Sequence, residues 1–94
     1  MNYTLSIITP SGKIFEDEVV SLTAPGTSGF VGVLARHSPM IVSLKKGGVK
    51  VRQSSGEKFF TVGSGVMEVN DQHNVLILAE SASEVKNWTE ANTN

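Results

Sequence analysis

Few side chains in this chain could carry acid–base, nucleophilic or metal chemistry. Its 94 residues include two histidines, nine acidic residues and no cysteine. His73 lies in the polar segment from Asn70 to Asn74, and no second histidine or cysteine stands at the spacing that a metal-ligand pair requires. We therefore predict a solvated turn residue at position 73, and we expect no catalytic residue, metal site or cofactor in the chain.

His37 is the second histidine, and it lies just before Ser38 and Pro39. Proline disfavours helical backbone in the residue before it, so the sequence predicts an extended corner here. An imidazole at such a corner can bond within the fold or contact a partner, and both interpretations stay open. No serine lies in the Gly-x-Ser-x-Gly pattern of a hydrolase nucleophile.

Glycines recur in two groups, first Gly26, Gly29 and Gly32, then Gly63 and Gly65. A dinucleotide-binding fingerprint would need Gly-x-Gly-x-x-Gly opening a helix, and a phosphate loop would need Gly-Lys followed by Ser or Thr. Each group leads instead into apolar residues that are typical of a strand. We therefore interpret these glycines as tight turns and points of close backbone approach, and we expect no nucleotide site.

Phe30 stands between Gly29 and Gly32 with valines beside it. It is either a core aromatic or an apolar knob on an exposed loop. Large aromatic side chains are usually well buried, and this favours the core.

The elements that must position these residues are strands, because apolar and polar residues alternate over most of the chain. The segment 49–62 is the clearest example, since Val49 and Val51 alternate with Lys50 and Arg52 before a Ser-Ser-Gly turn and a second strand. This pattern predicts an antiparallel hairpin that is buried on one side and solvated on the other.

Two segments, 40–42 and 75–78, are apolar at every position. Such runs are typical of strands that are covered on both faces, so we predict that these two strands lie at the centre of the fold.

These patterns predict an all-β fold in residues 1–82, a flattened antiparallel β-sandwich of about 8–10 short strands, since no long helix is available to cover a sheet face. We expect residues 83–94 to form a polar tail or one short C-terminal helix with a frayed end. Ser81 and Glu84 match a capping box for that helix, and Val85 and Trp88 could pin one of its faces to the sandwich.

The composition is that of an ordinary globular domain with a formal net charge of −1. The apolar runs are far shorter than the roughly 20 residues of a membrane-spanning helix, and the N-terminus lacks the features of a secretory signal. The absence of cysteine fits a reducing compartment. We therefore expect a soluble chain that stays inside the cell.

Basic residues concentrate in the middle of the chain, whereas acidic residues dominate on either side. They are Arg36, Lys45, Lys46, Lys50, Arg52 and Lys58. We interpret them as solvated charges at outward strand positions; a dedicated electrostatic site is the alternative.

Several segments occur in a fixed order along the chain. They are Ile8–Lys13, Ala24-Pro25-Gly26, Gly29–Val33, His37-Ser38-Pro39, Ser43–Gly47, Gly63–Val69 and Leu78–Ala82. In this order and at these distances they resemble the epsilon subunit of F-type ATP synthases, over nearly everything before the tail.

The resemblance implies a non-catalytic rotor subunit of the central stalk, which joins the gamma subunit to the membrane c-ring and couples ion translocation to ATP synthesis. It implies c-ring contacts at Gly26, Ser28, Gly29, Phe30, Val31 and Gly32. It implies gamma-subunit contacts at Thr9, His37 and Val42. It also implies a peripheral location on the cytoplasmic side of a bacterial inner membrane, with an organelle interior as the less favoured alternative.

The chain departs from the family pattern at several places, two of which affect the predicted function. Ser28 and Phe30 stand where relatives often have acidic residues, which predicts an apolar contact with the ring in place of a charged one. The pair of antiparallel helices that commonly follows in this family, and that can bind nucleotide, is not among these 94 residues. If the protein ends at Asn94, we expect no nucleotide-dependent self-inhibition.

A second hypothesis is a small β-barrel that binds nucleic acid through its basic face. It requires aromatic side chains for stacking among the basic strands. Phe59 and Phe60 are adjacent, so at most one of them can face outward, and the slightly acidic net charge also counts against this hypothesis. A small hydrolase or a carbohydrate-binding module is a third hypothesis. This chain lacks the paired carboxylates that the first would need and the exposed aromatic platform that the second would need.

Overall fold

The computed structural model describes residues 1–93, which form ten strands and one short helix. Asn94, the last residue of the predicted tail, lies outside the described residues. The elements are β1 (Tyr3–Thr9), β2 (Gly12–Val19), β3 (Ser21–Gly26), β4 (Gly29–Leu34), β5 (Met40–Leu44), β6 (Gly47–Gln53), β7 (Gly56–Val62), β8 (Gly65–Val69), β9 (Val75–Ala79), β10 (Ala82–Val85) and α1 (Trp88–Ala91). The predicted all-β class is confirmed.

The strands form one bent sheet that folds into two layers. Their order is β10-β7-β6-β3-β5-β8-β9-β1-β2, and β4 pairs with β3. The bend lies between β3 and β5, which share only the register pair Gly26 and Leu44. Layer one therefore contains β10, β7, β6, β3 and β4, and layer two contains β5, β8, β9, β1 and β2.

One backbone hydrogen bond and one side-chain hydrogen bond also join the layers on the side opposite this bend. The Val20 N–H donates to the Arg52 carbonyl oxygen at 2.7 Å, and Gln53 Nε2 donates to the Glu18 carbonyl oxygen at 3.0 Å. With both sides joined, the sandwich is nearly a closed, flattened barrel, and this closure limits the exposed sheet edge.

One strand pair departs from the antiparallel prediction. Strand β1 pairs in parallel with β9, with Leu5 opposite Val75 and Ile7 opposite Ile77. Every other strand pair in residues 1–93 is antiparallel.

The core lies between the layers and follows the predicted alternation. In the 49–62 hairpin, Val49, Val51 and Phe60 are buried, whereas Arg52 is exposed. Leu5 and Ile7 of β1 meet them from the other layer in the same apolar cluster. The predicted one-sided burial of this hairpin is confirmed.

The prediction that segments 40–42 and 75–78 are covered on both faces is wrong. Both strands lie in layer two, where only the inward face meets the core. Ile77 is fully buried, but Leu78 is 43% exposed and Ile41 is 73% exposed. These segments are apolar on their outward face as well, and nothing in the described chain covers that face.

The predicted capping box at Ser81 and Glu84 is also wrong, because the sheet continues through these positions. Strand β10 pairs with β7 as far as Val85, so three residues assigned to the tail belong to the sheet. The helix begins after Asn87, whose side-chain oxygen accepts a hydrogen bond from the Glu90 N–H at 2.8 Å. The Glu90 carboxylate in turn accepts from the Lys86 N–H at 2.8 Å. The cap therefore uses a later pair with the same three-residue spacing.

Tyr3 joins the two layers by a buried hydrogen bond. Its side chain is 5% exposed, and its hydroxyl donates to the Val33 carbonyl oxygen of β4 at 2.7 Å. Burial raises the pKa of the Tyr3 phenol above its ordinary value, because the phenolate would lose its hydration. The folded state therefore favours the protonated phenol.

Tyr3→Phe should lower the free energy of unfolding by about 1–2 kcal/mol at neutral pH, because the buried Val33 carbonyl loses its donor. Urea denaturation of both proteins measures this difference.

The difference should also depend on pH. The pKa of Tyr3 is raised in the folded state. Its contribution to the free energy of unfolding is therefore fully present below the unfolded-state pKa of about 10, and it is lost as the pH rises through the folded-state pKa. Above about pH 10, the parent protein should thus lose stability more steeply than Tyr3→Phe. Tyr3 is the single tyrosine, so phenolate absorbance reports its titration directly. Parallel stability curves for the two proteins would contradict this prediction.

Gly65→Ala should be strongly destabilising. A Cβ atom at this position would overlap the Leu78 carbonyl oxygen and lie 2.8 Å from the Ala79 Cα, and both are backbone atoms of the adjacent strand β9. We expect a loss of about 3 kcal/mol in the free energy of unfolding. Gly32→Ala is the matched control, because its nearest neighbour would be the Leu22 carbonyl oxygen at 3.9 Å; its effect should stay within about 0.5 kcal/mol. Equal losses in the two variants would contradict the prediction.

Candidate protein interfaces

The β3–β4 hairpin presents an aromatic residue at its exposed end. Thr27 and Ser28 form the loop, and Gly29 follows with φ +134°, a conformation that favours glycine. Phe30 pairs with Pro25 in the sheet register and is 57% exposed. The interpretation of Phe30 as a core residue is therefore wrong. The side chains of β4 alternate, and Val31 and Val33 are the ones that face the core.

The six residues predicted to contact a ring all lie at this hairpin, but only four present surface. Ser28, Gly29, Phe30 and Gly32 are exposed. Gly26 is buried in the turn, where an added Cβ atom would lie 2.6 Å from the Gly29 carbonyl oxygen. Gly26 and Val31 therefore support the hairpin from within.

The three residues predicted to contact a gamma subunit do not form an exposed patch by themselves. Thr9 is 8% exposed, and its hydroxyl bonds within the β1–β2 turn, where it accepts from the Ser11 N–H at 3.1 Å. Val42 is half-buried and packs against the core. His37 is half-buried in the β4–β5 connection, where Nδ1–H donates to the Ser38 carbonyl oxygen at 2.7 Å.

An apolar surface lies directly beside Thr9 and Val42, on the outward face of layer two. Ile8 stands opposite Leu78, which stands opposite Val66, so these three side chains form one row across β1, β9 and β8. Ile41 lies in the neighbouring row, where Glu68 of β8 pairs with both Ile41 and Leu76. We call these residues the apolar face: Ile8, Ile41, Val66, Leu76 and Leu78.

The sequence contained a signal for the apolar face. Segments 40–42 and 75–78 lack a polar residue at their outward positions, a pattern that fits an apolar surface as well as burial on both faces. Thr9 and Val42, which the resemblance predicts as contacts, are each adjacent in sequence to an outward apolar residue. Neighbouring strand residues point to opposite faces, so a shift of one residue exchanges a surface side chain for a core one.

The two histidines meet where the β4–β5 connection approaches the β8–β9 turn. His73 lies in the turn, as predicted, with its N–H donating to the Asn70 carbonyl oxygen at 3.0 Å. Its ring is not simply solvated, however, because Nδ1–H donates to the His37 carbonyl oxygen at 3.0 Å. His73 and Arg36 both have positive φ values, +67° and +65°. The hydrogen bond from the His73 ring to the His37 backbone thus holds the β4–β5 connection against the β8–β9 turn. Its role is structural.

Helix α1 covers part of the outward face of layer one. Its Trp88 ring lies 5.4 Å from the Phe30 ring and 6.5 Å from the Phe59 ring, measured between centroids. We call these three residues the aromatic cluster. Lys50 Nζ lies 5.5 Å from the centroid of the Trp88 ring, within the range of a cation–π contact. As expected, only one of the two adjacent phenylalanines of β7 turns outward, since Phe60 is buried.

The central basic residues are partly neutralised by acidic neighbours. Arg52 lies 3.6 Å from Glu57, and Lys58 lies 3.5 Å from Glu84. Within residues 1–93, no cluster of three His, Cys, Asp or Glu side chains could hold a metal ion. The helix α1 is the only one described there, and it has neither the length nor the apolar character required to cross a membrane.

Residues 2–85 match the family model of the β-sandwich domain of the ATP synthase delta/epsilon chain. The ATP synthase epsilon chain of Pelotomaculum thermopropionicum is 42% identical over 78 residues, which cover 83% of this chain and 58% of that protein. The epsilon chain of Nitrosococcus oceani is 37% identical over 92 residues, which cover 97% of this chain and 65% of that protein. The chain thus spans about three fifths of the length of these curated relatives.

Solved structures of mitochondrial ATP synthases contain the same fold. A chain of the Euglena gracilis enzyme, in a structure of its OSCP, F1 and c-ring parts, is 25% identical with a TM-score of 0.82, covering 88% of this chain and 53% of that chain. A chain of the Tetrahymena thermophila central stalk and c-ring gives a TM-score of 0.75 at 15% identity, covering 88% of this chain and 66% of that chain. The latter likeness concerns the fold alone.

None of these matches supports the nucleic-acid-binding hypothesis. The family model covers every strand residue, and the predicted resemblance agrees with it and with the named relatives. This chain belongs to the family of ATP synthase delta/epsilon chains and contains their β-sandwich domain.

Proposed function

We propose that this chain belongs to a non-catalytic central-stalk subunit that joins the gamma subunit to the membrane c-ring of an F-type ATP synthase. In this role it couples ion translocation to ATP synthesis. The observation that carries the proposal is that one rigid sandwich presents two separate uncovered surfaces, the apolar face on layer two and the hairpin end with Phe30 on layer one. A connector needs two such surfaces on a frame that does not deform.

The apolar face is the proposed gamma-subunit contact. Ile41 is 73% exposed and Leu78 is 43% exposed, and burying such side chains against a partner contributes about 1.5–3 kcal/mol each. Thr9 and Val42 border this face as the inward neighbours of Ile8 and Ile41. His37 lies just before β5, the strand that carries Ile41. The proposed gamma-subunit contact thus lies where the sequence predicted it, and the apolar face supplies its exposed side chains.

The hairpin end is the proposed c-ring contact, with Ser28, Gly29, Phe30 and Gly32 at its surface and Gly26 and Val31 beneath them. The solved structure of the Euglena gracilis enzyme supports this setting, since that assembly includes a c-ring. The location that follows is peripheral, on the cytoplasmic side of a bacterial inner membrane, held there by the complex. The bacterial origin of the named epsilon-chain relatives favours this over an organelle interior.

Ile41→Asp should weaken binding to purified gamma subunit by about a hundredfold, because the contact would have to bury an unpaired carboxylate. Titration calorimetry measures the affinity. Leu34→Asp is the matched control, since Leu34 is 68% exposed and apolar but lies on layer one. We expect the control to bind gamma as the parent chain does. Equal weakening by both substitutions, or by neither, would overturn the assignment of the apolar face.

Phe30→Glu should reduce binding to vesicles that carry the c-ring by about tenfold or more, whereas Phe30→Leu should retain most of the affinity. The reason is that an apolar contact tolerates leucine but not a carboxylate. Leu34→Glu places the same charge on the same strand and should bind as the parent chain does. If Phe30→Glu binds as well as Phe30→Leu, the hairpin makes no apolar contact with the ring.

A further inference from the structure

Helix α1 is anchored to the outward face of layer one at its C-terminal end. Ala91 is fully buried, and the side-chain oxygen of Asn92 accepts a hydrogen bond from the Gly48 N–H at 2.9 Å. The absence of a side chain on Gly48 permits this approach, because a Cβ atom there would lie 2.9 Å from the Ala91 Cβ. Asn92 Nδ2 also donates to the Trp88 carbonyl oxygen at 2.9 Å. Asn92 thus ties the sheet, the end of the helix and Trp88 together.

The Trp88 ring bridges strands that are not neighbours. It contacts Phe30 of β4 on one side and Phe59 of β7 on the other. Strands β3 and β6 lie between β4 and β7 in the sheet, and Lys50 of β6 places its ammonium group near the same ring. Trp88 therefore connects the outermost hairpin to the middle of layer one.

Strand β4 is an edge strand of layer one. It lies off the main path of the sheet and pairs with β3 alone. Phe30 points away from the core, so the packing between the layers does not fix the direction of its ring. Within residues 1–93, Trp88 supplies the aromatic partner of Phe30, at a tilted interplanar angle of 50°. Tilted ring pairs of this kind are favourable beyond their buried area.

We infer that Trp88 is a positioning residue for the β3–β4 hairpin, and that α1 acts as a clasp that holds Phe30 in the orientation presented to a partner. The inference rests on the proposed contact between this hairpin and the c-ring. The C-terminal segment of this chain thus fixes the orientation of Phe30, which no residue of the hairpin does alone.

Hydrogen exchange of the hairpin amides tests the clasp without any partner. Trp88→Ala should raise the exchange rates of residues 27–31 by up to about tenfold, the amount expected for one lost aromatic pair. Trp88→Phe keeps an aromatic ring and should show a smaller change. Asn92→Ala should also raise these rates, because it releases the helix without altering an aromatic residue. Amides of β8 and β9 should be unaffected in all three variants.

Trp88 is the single tryptophan, so its fluorescence gives a second readout. Phe30→Ala should shift the emission to longer wavelength, since the ring becomes more hydrated, whereas Leu34→Ala should not. Unchanged hairpin exchange in both Trp88→Ala and Asn92→Ala, together with unchanged emission in Phe30→Ala, would overturn the inference.

Binding to ring-bearing vesicles separates the clasp from the proposed function. If both hold, Trp88→Ala weakens binding, and adding it to Phe30→Ala causes little further loss, because the two residues act through one contact. If Trp88→Ala loosens the hairpin but Phe30→Ala binds as the parent does, the clasp is supported and the ring contact fails. If Phe30→Ala weakens binding while Trp88→Ala alters neither exchange nor binding, the ring contact is supported and the clasp fails.

Discussion

Each layer of this sandwich has only one face that the other layer can cover, and this constraint determines the rest of the molecule. The inward faces form a single apolar core, in which Leu5, Ile7 and Met67 are fully buried. The outward faces must be solvated or be covered by something else. On layer one the short helix α1 covers part of the outward face through Trp88 and Ala91. On layer two the apolar face is left uncovered by residues 1–93, and the proposed docking of a partner subunit follows from that difference.

The polar groups that could have carried chemistry serve the frame. Tyr3 bonds the two layers together, His73 bonds one connection to another, and Asn87 caps the helix. No buried side-chain nitrogen or oxygen within residues 1–93 lacks a hydrogen-bond partner. An active site commonly keeps such a group unpartnered or strained for use in reaction. Hydrogen bonds within the fold occupy these polar groups, and this fits a domain whose proposed role requires it to keep its shape under load.

The sequence alone predicted the fold well where alternation was clear, as in the 49–62 hairpin, because one-sided burial leaves a period of two. It failed at Ile41, Leu78 and Phe30, which are apolar but exposed in the folded chain. An apolar residue favours burial whether its own chain or a partner covers it, so the pattern alone could not separate the two cases. The parallel pairing of β1 with β9 was not predicted, since it joins segments from opposite ends and no local turn marks it. The helix cap was misplaced because Ser81–Glu84 and Asn87–Glu90 share one spacing.

The parallel pairing of β1 with β9 has a consequence for biosynthesis. Strand β1 cannot complete its hydrogen bonds until residue 75 and those after it have emerged from the ribosome, because Leu5 pairs with Val75. Until then β1 can pair only with β2, and the opposite edge of that hairpin stays open, a state that is prone to association with other nascent chains. The order of translation therefore delays closure of the sandwich until β9 has been made, and topologies dominated by such distant contacts fold slowly.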